Sequence, residues 1–208
     1  TADALAGAGH HGEVLHPLSF AFAEAFRGQG ATRRDVVALD GRHGLHDRAL
    51  VGLAAVRTVA TELVGYRLRV VNASADVELA ARVLSYDSGM RVEFVVARTW
   101  RAIVQEQSDA RASIRIARDD VLDAFELAAL AAGSTPLLSA DSPLADELSA
   151  RVPMADPDSP IGVGQAMRTA LAGPGPDRED VRRLLSDRDP GRAASAFAAA
   201  VDAVAQAS

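Results

Sequence analysis

The chain has 208 residues, 49% of them apolar, and a formal net charge of −6, which is enough apolar material for a sizeable core in one domain or two small ones. Aromatic residues make up only 4% and basic residues are not in excess, so neither a stacking platform nor a phosphate-backbone track for nucleic acid is expected. Cysteine is absent, which excludes disulfides, thiolate zinc sites and thiol catalysis.

In chain order, residues 1–34 form a weakly patterned segment, expected to be partly mobile, with one short helix over 13–26 that Pro17 interrupts. Residues 35–39 read as a buried strand, followed by the loop Asp40-Gly41-Arg42-His43-Gly44. Residues 47–64 have the spacing of a long amphipathic helix that Gly65 ends. Residues 66–71 alternate as a strand, Asn72-Ala73-Ser74 is a turn, and 75–84 is a helix. A third strand is expected over 90–97 and a short helix over 99–107. Residues 113–117 are apolar at alternate positions and read as a fourth strand. Asp119 and Asp120 can cap a helix over 122–132, which Gly133 stops. Pro136-Leu137-Leu138 starts a buried strand, and a further helix follows it. After Leu148 the chain is rich in loops, with helices expected over 161–171, 178–186 and 192–205.

Strands alternating with helices imply an α/β fold: a parallel sheet with helices on both faces, made Rossmann-like by right-handed crossovers. The expected division is the N-terminal segment 1–34, a Rossmann-like domain 35–172, and a helical C-terminal extension 173–208 packed on it. No apolar run approaches the roughly 20 residues that span a bilayer. No basic stretch leads into an apolar one as in a signal peptide, so a cytoplasmic protein is the expectation. The chain begins at Thr1, as a fragment or a processed chain would.

In such a sheet, anions bind where helix N-termini meet the carboxyl ends of strands. Gly41 and Gly44 let the backbone approach a diphosphate, and Arg42 or Arg48 can neutralise it. The same stretch also reads as an ordinary strand-to-helix turn with Asp47 as its cap. Asn72 and Ser74 can line a cleft or act only as turn and cap residues. Asp119, Asp120 and Asp123 can touch a ligand or simply compensate a helix dipole, with Arg115 and Arg118 beside them as neutralising charges. Trp100 suits stacking or core packing. His43 and His46, with Asp40 and Asp47, have the residue types for a divalent ion, but no metal site is expected.

The residue order over 112–147 resembles the nucleotide-sugar-binding half of GT-B glycosyltransferases, especially the family-4-type retaining enzymes. Those carry a strand, an acidic residue, a helix with a second acidic residue eight positions later, and then Gly, a small residue, Pro and a strand. Asp120 falls on the first acidic position, Ala128 on the second, and Gly133-Ser134-Thr135-Pro136 on the rest. Ala128 makes the motif degenerate, and Glu126, two residues earlier, is expected to face another side of the helix. Upstream, Gly41 and Arg48-Ala49-Leu50 match the family's first strand and phosphate loop, with His46-Asp47 in place of small residues.

The resemblance implies a domain that binds a nucleoside-diphosphate sugar as donor substrate, with no cofactor required. Asp120 would contact the sugar, and Arg48 would stabilise the departing diphosphate. Gly41, Arg42, Gly44, Asn72, Arg98, Thr99, Ser134 and Thr135 would line the donor site, Arg98 and Thr99 facing the base. Retaining hexosyl transfer would then need an N-terminal acceptor domain or a partner chain to complete the cleft. A non-catalytic, degenerate glycosyltransferase-like interaction module is the alternative. An anti-anti-sigma-type regulatory domain is loosely similar over residues 66–84, but it is about half this length and lacks the unit over 112–138.

Overall fold

The computed structural model describes residues 35–44, 47–118, 123–148 and 152–186, together with residues 195, 198 and 199. The segment 1–34, Leu45 and His46, Asp119 and Asp120, and the helix expected over 192–205 (its three described residues apart) lie outside the described residues.

Six strands form one sheet: β1 Val36–Asp40, β2 Arg67–Val71, β3 Arg91–Val95, β4 Ala110–Ile114, β5 Thr135–Ser139 and β6 Met154–Ala155. Their order across the sheet is β3-β2-β1-β4-β5-β6, and every neighbouring pair is parallel. The helices are α1 Ala49–Thr58, α2 Ala75–Ser88, α3 Trp100–Gln107, α4 Ala124–Ala132, the short α5 Ala145–Leu148, α6 Pro160–Ala172 and α7 Arg178–Ser186. This is the Rossmann-like α/β sheet that the alternating pattern implies.

The period of two along each strand divides the core into layers. In β1, Val37 and Leu39 join the core beneath α1, α2 and α6, whereas Val36 and Ala38 point to the opposite layer with Phe125 of α4. Both faces are covered, so all five residues of β1 are buried. α1 packs between α2 and α6 on one face, while α3, α4 and α7 pack together on the other.

Local chemistry sets the helix ends. Gly89 and Gly133 take left-handed conformations (φ 69° and 70°) that end α2 and α4. Ser159 caps α6, accepting from the Gly162 amide, with Pro160 at the first helical position.

Four expectations are corrected. The fourth strand is Ala110–Ile114, not 113–117. The alternation runs on because Ile116 and Ala117 are buried, but there the backbone leaves the ladder: the Ile116 carbonyl accepts from Arg48 N and Ala117 N donates to Ser139 Oγ. The long helix over 47–64 is α1 followed by a 3₁₀ turn, Ala60–Glu62. Thr58 and Val59 both bond back three residues, to Ala55 and Val56, which tightens the helix at its end. α4 begins at Ala124 and its cap is Asp123, which accepts from Phe125 N at 2.7 Å, rather than Asp119 or Asp120. Finally, β6 lies within the stretch expected to be loop; at two residues it is too short to show a period.

Candidate functional site

The chain runs from β1 outward to β3, then returns to β4 on the other side of β1. The carboxyl ends of β1 and β4 therefore flank the topological switch point, where open α/β sheets hold their ligands. The loops leaving those two strands carry a compact group of charges.

Asp40 ends β1 and is 4% exposed. Arg42 curls back onto it: Arg42 Nε donates to Asp40 Oδ1 at 2.9 Å and Nη2 pairs with Oδ2. The same Nη2 reaches Asp123 Oδ1, the α4 cap, at 2.8 Å. Arg115, one residue beyond β4 and 4% exposed, is the hub of the group. Its Nη2 lies 3.2 Å from Asp47, its Nη1 3.5 Å from Glu126, and its Nε 3.8 Å from both Asp40 and Asp123. Glu126, only 2% exposed, also accepts from Ser142 Oγ at 3.0 Å. Burial pushes the Glu126 carboxyl up to about 7 against the pull of Arg115 and Ser142. Burial likewise raises Asp40 despite its bonds to Arg42, and those bonds raise Arg42 in turn.

The glycine loop is stitched to its neighbours. Gly41 N donates to Val71 O at 2.7 Å and Gly41 O accepts from Ser74 N. A Cβ on Gly41 would stand 2.7 Å from the Ala73 Cα, so only glycine permits this approach of the loops after β1 and β2. Gly44 has open space around it, and its amide donates to Asp47 O. Asn72, left-handed at φ 55°, exchanges two 2.9 Å bonds with the backbone of Ala97. Its amide thus ties the loops after β2 and β3 together. Arg98 and Thr99 are exposed beyond β3, and the Thr99 hydroxyl caps α3.

Arg48 sits differently. It is the N-cap of α1, its amide is fixed to Ile116 O at 2.7 Å, and its side chain is partly buried. Among the described residues its buried Nε has no hydrogen-bond partner, and no carboxylate pairs with its guanidinium. Among them, too, no side chain caps α1, and its first turn contains no acidic residue. Among the described residues, then, no side-chain cap meets the positive end of the helix dipole, and a cation stands on it at the switch point of the sheet.

Of the residues singled out in the sequence, Gly41, Arg42, Gly44, Arg48, Asn72, Arg98 and Thr99 all lie in loops after the carboxyl ends of β1, β2 and β3. Ser134 and Thr135 do not join them. They open β5 at its amino end, where Ser134 is buried and its hydroxyl lies 2.7 Å from Ser113 Oγ. A five-residue strand at about 3.3 Å per residue separates them from the other end of the sheet. Asp120 lies outside the described residues. Ala128 is fully buried among the apolar side chains of α4 and its neighbours. Sequence reasoning missed the assembly of Asp40, Asp47, Glu126 and Ser142 around Arg115. The available signal was an arginine inside the otherwise apolar run Ile114–Ala117. Among the described residues no group of three or more His, Asp or Glu is arranged to hold a metal ion, and no helix is long and apolar enough to cross a membrane.

No family model matches the sequence, and no curated protein does. Solved structures do match the fold. The trehalose-6-phosphate synthase OtsA superposes with a TM-score of 0.68 at 12% identity, over 88% of this chain and 50% of that one. A trehalose-6-phosphate structure from E. coli bound with UDP-2-fluoro glucose gives 0.65 at 12% identity, over 86% and 48%. The catalytic domain of cholesterol-α-glucosyltransferase from Helicobacter pylori gives 0.53 at 15% identity, over 77% and 97%. The chain spans about half the length of the OtsA structures. At these identities the likeness concerns the fold: this chain has a Rossmann-like α/β fold whose structural neighbours are GT-B glycosyltransferases.

Proposed function

We propose that this chain is a glycosyltransferase-like domain that binds a nucleoside-diphosphate sugar at the carboxyl ends of β1 and β4. The observation that carries the reading is Arg48: a cation without a described carboxylate partner, placed on the uncapped N-terminus of α1 at the switch point. A guanidinium and a helix N-terminus converging on one place favour a diphosphate over a neutral ligand. In sugar transfer the same two groups would stabilise the negative charge that develops on the leaving diphosphate. The loops after β2 and β3, carrying Asn72, Arg98 and Thr99, would form the floor on the nucleoside side. Retaining hexosyl transfer would need acceptor contacts from an N-terminal domain or a partner chain, and no cofactor beyond the donor itself.

One observation favours the non-catalytic reading instead. Arg42 and Arg115 are already engaged by carboxylates, and the Asn72 amide by backbone. Calorimetric titration with UDP, GDP and ADP separates the two. The donor reading expects one nucleotide to bind at micromolar strength, with at least about a tenfold loss in Arg48→Ala, the scale of one charge-assisted contact. No heat from any nucleotide at millimolar concentration would remove the donor reading and leave an interaction module.

A further inference from the structure

We propose that the Asp123 carboxylate is an internal competitor for the anion site, which a nucleoside diphosphate must displace from Arg42 in order to bind. The inference rests on the donor reading and adds the residue that sets its affinity.

The geometry of Arg42 separates a fixed partner from an exchangeable one. Asp40 holds the guanidinium from the inner side through Nε and Nη2, and it is itself 4% exposed. Asp123 meets Arg42 only through Nη2 and is 15% exposed, and its other oxygen lies 3.8 Å from Arg115 Nε. The Arg42 side chain is 41% exposed, so this pair lies at the mouth of the charge cluster rather than in its depth. If Asp123 withdrew, Arg42 would stay seated on Asp40 with one face of its fork open. Arg48 is tied to the residue after Arg42, since His43 and Arg48 form a β-bridge.

Asp123 belongs to a different element, α4. Its Oδ1 is shared between Arg42 and the Phe125 amide, so the cap bond survives loss of the ion pair. A carboxylate carries one negative charge, whereas a diphosphate carries more and offers several oxygens to a guanidinium. The exchange is opposed by the negative charge of the carboxyl groups that surround Arg42 and Arg115, Asp123 among them. Removing the charge of Asp123 therefore strengthens anion binding twice, by freeing Arg42 and by reducing repulsion.

Asp123→Asn tests this, since asparagine caps a helix as well as aspartate does. Asp123→Ser, a second capping residue, is measured alongside so that a folding defect in one variant does not decide the outcome. UDP, GDP and ADP are titrated calorimetrically into wild type, both variants, and Asp123→Asn combined with Arg42→Ala. The expected result is about tenfold tighter binding of the preferred nucleotide in the folded capping variants, a gain lost when Arg42 is also removed. Binding in the variants where wild type shows none supports the same conclusion. Affinity equal to or weaker than wild type, with thermal unfolding unchanged, overturns the inference while the donor reading stands. No binding by any of the four proteins overturns both.

Discussion

Replacing Arg115 with methionine is expected to remove about 3–5 kcal/mol of folding stability, the range for deleting one partner of a buried ion pair. Methionine nearly matches the length of arginine and suits an apolar site, so the loss is electrostatic rather than steric. Arg115 is 4% exposed and faces Asp40 at the end of β1, Asp47 before α1, and Asp123 and Glu126 at the start of α4. Without it, Glu126 keeps only the Ser142 hydroxyl among the described residues, at 2% exposure. The double variant Arg115→Met with Glu126→Leu should recover a large part of the loss, because it removes the stranded charge together with its partner. Urea unfolding of wild type, the two single variants and the double variant gives the coupling directly. A loss below about 1 kcal/mol in Arg115→Met would mean that the charges are solvated rather than buried.

The second large effect is on pH. The Glu126 carboxyl is pushed from 4.5 up to about 7, with burial the largest cause. Between those values the folded state holds a proton that the unfolded state has released. Stability from this group is therefore fully present below pH 4.5, declines as pH rises, and is gone above about pH 7. At 1.36 kcal/mol per unit, the difference amounts to about 3 kcal/mol. Asp40, also raised, acts in the same direction. Glu93, lowered by Arg67 and Arg69 against its own desolvation, acts in the opposite direction, but only where pH falls below the ordinary carboxylate range. The protein is thus expected to be more stable at pH 5.5 than at pH 8, and Glu126→Gln to flatten that slope. Chemical denaturation at the two pH values measures it; a wild-type slope matching that of Glu126→Gln would contradict the burial account.

The sheet was legible where the chain speaks in short periods. β1 and β2 lie within one residue of their expected bounds because a short apolar run in β1 and an alternating one in β2 each end in a polar turn. α7 matches its expected span over 178–186 because its charged and apolar residues alternate at helical spacing. Gly133 stopped α4 as expected, since a left-handed cap there needs glycine. The register of β4 was not legible: Ile116 and Ala117 are as buried as ladder residues, and only the bonds from Arg48 and to Ser139 show that the strand has ended.

At the candidate site, the loop after β1 was placed correctly because a glycine loop between strand and helix has a local signature. The resemblance assigns Ser134 and Thr135 to the donor site, but they open the strand rather than follow it, and in a parallel sheet that end lies away from the loops after β1, β2 and β3. Arg115 was read as a neutralising neighbour of nearby aspartates. Asp123 of that group does pair with it; Glu126 joins from the same helix, and Asp40 and Asp47 come from the end of β1 and the loop after it, which only the crossover of the sheet brings near. Glu126 and Ala128 part in the structure: Glu126 joins Arg115 and Ser142 in the charge cluster, whereas Ala128 is buried in the apolar layer.

A nucleoside diphosphate is expected to sit on the loop after β1 at the start of α1. Amide chemical-shift mapping of the isotopically labelled chain during a UDP, GDP or ADP titration tests it most directly. The account predicts saturable shifts concentrated at Gly41, Arg42, Gly44, Arg48 and Asn72, with little change at Ser134 and Thr135. Saturable shifts clustered elsewhere, or none at millimolar nucleotide, would contradict it.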